Sequence, residues 1–206
     1  MASSLSTTDR GRQERILAAA LEVFGRYGFR RASMDEIARS ADISRQGLYL
    51  HFANKETLFR AAIRQELDTA LGEASRCLNE RGVALERRLV AALDAWLGRY
   101  VGSMLASDIG KLLRDPATPL EDVVDPPMAA FYDRLAAAIA AAMSENDRKR
   151  LGVTPEEIAG ALRSVAHGAK YLADAGAESR ADFVARVTAD VRVVFAGFGA
   201  MAKRTP

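Results

Sequence analysis

The chain has 206 residues, 49% of them hydrophobic, with six prolines, one cysteine and a net charge of +2. That length buries a full core in one or two small domains, and the single cysteine, Cys77, excludes an intrachain disulfide and reads as a packed thiol. The longest apolar run, Leu135–Met143, is far too short to span a membrane, and MASSLSTTDRGRQ lacks an apolar signal segment, so a cytoplasmic protein is expected.

The first eight residues are Ser/Thr-rich, and residues 1–9 are expected to be disordered. Arg10 and Arg12 in this arm are candidates for touching a nucleic-acid backbone. A first helix is predicted over about 10–27, with Ile16, Leu17, Ala20, Leu21, Phe24 and Tyr27 as its apolar stripe and Gly28 as its stop. Ser33 followed by Glu36 is a capping box that starts a second helix through Met34, Ile37, Ala38 and Ala41. Ala41-Asp42-Ile43-Ser44 is a turn, in which Asp tolerates the left-handed backbone and Ser44 caps the next helix.

That third helix places Leu48 and Phe52 inward, four apart, and leaves Arg45, Gln46, Tyr49 and Lys55 outward, with Gly47 permitting close approach to a surface. Arg suits the two acceptors of guanine, and Gln pairs with adenine. A phenol, the His51 imidazole and a lysine are good phosphate partners, which fix register rather than read sequence. Charge distribution agrees: residues 1–60 hold ten Lys/Arg against seven Asp/Glu, and the remainder is slightly acidic. The pattern alone leaves another reading open. Capped amphipathic helix pairs also occur in helical proteins that touch no DNA, where Tyr49 and His51 would be ordinary packing residues.

Asn54 caps a fourth helix running to about Leu78, with Leu58, Ala62 and Leu67 inward. A fifth helix is predicted from Leu85 to about Met104 and a short sixth over 105–113. Pro126-Pro127 places the start of the seventh near residue 127, with Phe131, Leu135 and Ile139 at four-residue spacing and an end near Glu145. NDRKRLGV reads as a turn. Thr154-Pro155-Glu156-Glu157 is a strong helix start. Ile158, Leu162, Val165, Ala169 and Leu172 follow at helical spacing, and Phe183, Val187, Val191, Val194 and Phe198 form a second long stripe. Two such helices suit a dimer interface, a four-helix bundle with two from each subunit, using Leu162, Val165, Ala169, Val187, Val191, Val194 and Phe198. They would equally serve to complete the core of one subunit.

The segments RILAAALEVFGRYGF, ASMDEIARSADIS and GLYLHFANKETLF, in this order within residues 12–60, resemble the N-terminal domain of the TetR family of bacterial transcriptional regulators. Asp42 departs from the pattern, which most often has Gly there. The resemblance implies an all-α fold of about nine helices. Residues 1–56 would be a three-helix helix-turn-helix DNA-binding domain, and 57–206 a helical ligand-binding and dimerisation domain. It implies that Ser33, Ser44, Arg45, Gln46, Gly47, Tyr49, His51 and Lys55 lie at or near double-stranded DNA. It also implies a homodimeric repressor on an inverted-repeat operator, released when a small molecule enters the body and the fourth helix moves. The effector site would lie among helices five to eight. Trp96, Tyr100, Met104, Met128, Phe131, Tyr132, His167 and Tyr171 are its candidate lining, although aromatics at helical spacing also build cores. His167, among small residues, could face a cavity, a partner or the core.

No enzyme is expected, and neither a cofactor nor a metal. The only histidines, His51 and His167, are far apart in sequence, and no Cys/His cluster has metal spacing. Gly110-Lys111 lacks the rest of a phosphate loop, and nucleophile-elbow and dinucleotide motifs do not occur. The alternative to a ligand-responsive regulator is a helical DNA-binding or interaction module without a small-molecule effector.

Overall fold

The computed structural model describes residues 7–102, 120–176 and 179–201. All regular structure among the described residues is helical: α1 (Thr7–Arg31), α2 (Met34–Ser40), α3 (Arg45–His51), α4 (Lys55–Leu78), α5 (Leu85–Trp96), a 3-10 turn (Gly98–Tyr100), α6 (Glu121–Ala142), α7 (Glu145–Leu151), α8 (Pro155–Gly176) and α9 (Arg180–Met201). The helix expected over 105–113 and the candidate Met104 lie outside the described residues. None of the described helices is long and apolar enough to cross a membrane.

The chain divides into two compact units, Met1–Leu67 with Ser103–Val124, and Asp68–Gly102 with Asp125–Pro206. The first unit is built on a small aromatic core. Ile16, Phe24, Ile37, Leu48, Leu58 and Phe59 are fully buried. Phe24 meets Phe59 edge-on at 4.8 Å, and Phe29 lies 4.9 Å from Phe59, so the end of α1 is bound to the first turns of α4. Helix α1 starts earlier than expected, at Thr7, and Gly28 breaks rather than ends it. At Gly28 φ is 76° and ψ 161°, a backbone that a Cβ disfavours, and one more helical turn follows to Arg31.

In the second unit Leu89, Leu93, Phe131, Leu135, Ile139, Leu162, Phe183, Val187 and Val191 are fully buried. Three boundaries differ from the sequence reading. Helix α5 ends at Trp96 and a 3-10 turn follows, in which Gly98 packs so closely that a Cβ would meet the Asp94 carboxylate and come within 2.9 Å of the Phe183 ring. Helix α6 begins at Glu121 and carries Pro126 and Pro127 inside it. The ring nitrogens forfeit two backbone bonds near the N-terminus, where the loss is tolerated better than in a helix centre. The expected polar turn at 146–153 holds a short helix, α7. The start of α8 is as read: Thr154 and Glu157 exchange side-chain and backbone bonds at 3.1 and 2.7 Å.

Candidate nucleic-acid interface

The helix pair over 33–52 is set by two caps. The Ser33 hydroxyl accepts from the Glu36 N–H at 3.2 Å and donates to the Glu36 carboxylate at 2.8 Å. Glu36 also accepts from the Ser33 N–H at 3.0 Å, which closes the box. Ser33 thus positions α2, with its hydroxyl already engaged. Ser44 caps α3 by accepting from the Gly47 N–H at 2.9 Å. A Cβ on Gly47 would come within 3.2 Å of that hydroxyl, so glycine here keeps the cap unobstructed. Asp42 takes φ 53°, the left-handed conformation the turn requires, and is the one non-glycine residue to do so among the described residues.

With Leu48 and Phe52 buried, α3 turns Arg45, Gln46, Tyr49, Leu50 and His51 to solvent. The Arg45 guanidinium donates to Asp35 at 3.0 Å and lies over the Tyr49 ring at 5.7 Å. A groove of about 270 Å³ runs beside the helix, lined by Arg12, Asp42, Ile43, Ser44, Gly47, Leu50 and His51. It brings the N-terminal arm candidate Arg12 to the same surface as α3. Leu50, 82% exposed, is the residue the sequence reading missed. Its position opposite Leu48 on the helical wheel was the available signal. An apolar side chain there suits the methyl group of thymine.

Lys55 is engaged within the unit itself. Its ammonium does not project as a free phosphate partner. It donates to the carbonyls of Phe29, Ala32 and Arg30 at 2.8, 3.0 and 3.3 Å, and lies 4.7 Å from the Phe29 ring centre. An ammonium has three donors, and all three are used. Partial burial lowers its pKa. Lys55 clamps the first residue of α4 to the carbonyl end of α1, where a cation is favoured.

The effector candidates separate into groups. Trp96 and Phe131 are buried and stacked on each other at 5.0 Å, and Phe131 meets Tyr132 edge-on at 4.9 Å. Tyr132 and His167 share a hydrogen bond of 2.9 Å between the phenol oxygen and Nε2, which ties α6 to α8. Burial pushes the Tyr132 phenol well up, and burial followed by the charges of Arg163 and Lys170 lowers His167. Arg163 lies over the Tyr132 ring at 5.0 Å and reaches the Met128 sulfur at 4.0 Å. Tyr100 sits half-buried in the 3-10 turn beneath Arg99. Tyr171 is 73% exposed and lies on the outer face of α8. A half-open groove of about 580 Å³ lies elsewhere, between α5 and α9, with Val90, Ala91, Val184 and Val191 among its lining and Glu86, Arg87, Asp94, Thr188 and Arg192 around them.

The proposed pairing residues divide by burial. Leu162, Ala169, Val187 and Val191 are at most 2% exposed and pack inside one subunit. Val165 and Val194 are half-buried at the edge, and the side chain of Phe198 lies outside the described residues. The residues of α8 left to solvent include a stripe of Ala161, Ser164, Gly168, Leu172 and Ala175, beside Arg163, Tyr171 and Asp174. On α9 it includes Ala185, Ala189, Val193 and Ala196. Both helices carry two stripes of small or apolar residues, and the larger side chains took the core.

The family model described as bacterial regulatory proteins, tetR family, matches residues 16–62, from within α1 to the first turns of α4. Over this segment the chain is similar to the TetR family. Over 71 residues it is 42% identical to the HTH-type transcriptional regulator UidR of Escherichia coli K12, covering 34% of this chain and 36% of UidR. The match thus spans about a third of the length of the curated relatives. A transcriptional regulator of Rhodococcus sp. Rha1 superposes over 90% of this chain and 96% of its own with a TM-score of 0.70 at 20% identity. Bacillus subtilis FadR in complex with stearoyl-CoA covers 89% and 98% with a TM-score of 0.66 at 15% identity. These likenesses show a TetR-like helical fold over about nine-tenths of the chain.

Proposed function

We propose that this TetR-family protein is a homodimeric transcriptional regulator that represses by binding an inverted-repeat operator and is released by a small molecule. The observation that carries the DNA reading is the surface of α3: Arg45, Gln46, Tyr49, Leu50 and His51 are all exposed on one short, doubly supported helix, capped by Ser44 and braced by Leu48 and Phe52. Seven residues of helix read few base pairs. A two-fold pair would place two such helices in major grooves about 34–36 Å apart, multiplying their modest selectivity. The exposed stripes of α8 and α9 support such a pair, because small side chains let helices approach closely.

Release by an effector is supported by the polar pair Tyr132–His167 at the edge of an aromatic stack, which offers one oriented hydrogen-bonding point beside apolar surface. Helix α4 is the element that would carry displacement to the DNA-binding unit, since Lys55 anchors its first residue to α1. A module without an effector is the second reading. It is favoured by Trp96 and Phe131 filling space against each other.

Selection of binding sites from random duplex DNA tests the proposal. The expected product is one inverted repeat whose half-site centres lie about 10–10.5 base pairs, or a multiple, apart. Recovery of no consensus would remove the DNA-reading role. A consensus that no acyl, aromatic or amphipathic compound in a screening panel releases would leave the second reading in place.

A further inference from the structure

We infer that Asp35 is a positioning residue for base reading, which holds the Arg45 guanidinium in one orientation on the exposed surface of the helix pair. The inference rests on the reading of α3 as the base-contacting helix. Asp35 lies in the first turn of α2, but the cap there is completed by Ser33 and Glu36 without it. Its carboxylate instead accepts from Arg45 Nη1 at 3.0 Å, joining α2 to α3 across ten residues. The Arg45 guanidinium is also over the Tyr49 ring, so it is held on two sides. Both partners of the ion pair are more than half exposed, at 64% for Arg45 and 51% for Asp35. An ion pair this exposed contributes little to folding. It serves orientation better than stability.

The chemistry of reading explains what orientation gains. A guanidinium has five N–H groups in a planar fork, and a bidentate contact to guanine uses two of them. With one Nη1 bond directed to Asp35, other donors remain for a base. An arginine free to rotate would also bridge phosphates at any sequence. A carboxylate beside it repels those phosphates, so Asp35 weakens indiscriminate association while steering the guanidinium at a matched site. Both effects raise the ratio of specific to non-specific affinity.

The full-length chain is tested as wild type, Asp35→Asn, Asp35→Glu, Arg45→Ala and the double variant Asp35→Asn/Arg45→Ala. Site selection from random duplex DNA is read together with affinity for a fixed non-specific duplex, and thermal melting confirms that each variant folds. Asp35→Asn is expected to bind the non-specific duplex several-fold more tightly and to lose discrimination on the order of tenfold at one base pair. That base pair is the one Arg45→Ala flattens, and the double variant flattens it no further. Asp35→Glu restores much of the preference, which a purely helix-starting role would not predict to be confined to one base pair. Unchanged base preference in Asp35→Asn, or a change at base pairs Arg45→Ala does not touch, overturns the inference while leaving α3 as a reader. Failure of the wild type to select any sequence overturns the DNA reading itself, and this inference with it.

Discussion

Helices α3 and α8 are both amphipathic, and each leaves a face to solvent. On α3 the buried residues are Leu48 and, at the cap, Phe52, and what remains outside is chemically distinctive: a guanidinium, an amide, a phenol, an imidazole and one aliphatic side chain. On α8 the buried face is Ile158, Leu162, Ala166 and Ala169, and the exposed residues join a second small and apolar stripe (Ala161, Gly168, Leu172, Ala175) to the polar Glu157, Arg163, Ser164 and Asp174. A helix with one apolar face declares its orientation. One with two apolar stripes leaves the choice between them to the volumes of its neighbours.

The largest test of this contrast is on α8. Leu162→Ala removes a fully buried side chain and is expected to cost about 2–5 kcal/mol of folding stability. Leu172→Glu, on the exposed stripe, should keep the helical signal and shift sedimentation toward monomers. Folded monomers from Leu162→Ala would return the interface to the buried stripe. In the first unit, Lys55→Met removes three hydrogen bonds to backbone carbonyls and should destabilise it by about 1–3 kcal/mol. The salt dependence of DNA binding by that variant should hardly change; a slope shallower by about one would reinstate a phosphate contact.

Smaller effects sharpen the α3 side. Gln46→Ala is expected to lose about 1–3 kcal/mol of discrimination at single base pairs, whereas Tyr49→Ala weakens all sequences alike. Leu50 is tested by replacing thymines with uracil: the missing methyl should cost the wild type about 0.8 kcal/mol at one position and cost Leu50→Ala nothing there. The smallest effect concerns His167, whose folded pKa lies below its ordinary 6.5 because of burial, then the nearby Arg163 and Lys170 charges. The unfolded chain therefore takes up the proton first. Its contribution to stability is complete above about pH 6.5 and is lost as pH falls through that value toward the depressed folded pKa. Tyr132 faces it as a neutral phenol, and Lys170 is paired with Asp174 at 2.6 Å. His167→Gln should flatten the fall in melting temperature between about pH 7 and pH 5. An equally steep fall in the variant would assign the dependence to other groups.

Much of the first unit was readable in advance. The caps at Ser33, Ser44 and Asn54, the left-handed Asp42 and the inward Leu48 are local features, fixed by bonds between residues three or four apart. The clamp made by Lys55 was not legible, because its partners, Phe29, Arg30 and Ala32, lie 23 to 26 residues away and are backbone carbonyls, which every residue has. The outward placement of Tyr171 was not legible, because an aromatic at helical spacing does not say which of two faces it occupies.

The sequence by itself determined the helical class, the helix-turn-helix with its caps, and the residue types on the exposed face of α3, since these follow from short-range hydrogen bonding and apolar periodicity. Tertiary structure alone decided that Lys55 clamps a helix end, that Asp35 meets Arg45, and which stripes of α8 and α9 face the core. Those outcomes depend on close packing between segments distant in the chain, where side-chain volume, rather than polarity, selects the partner.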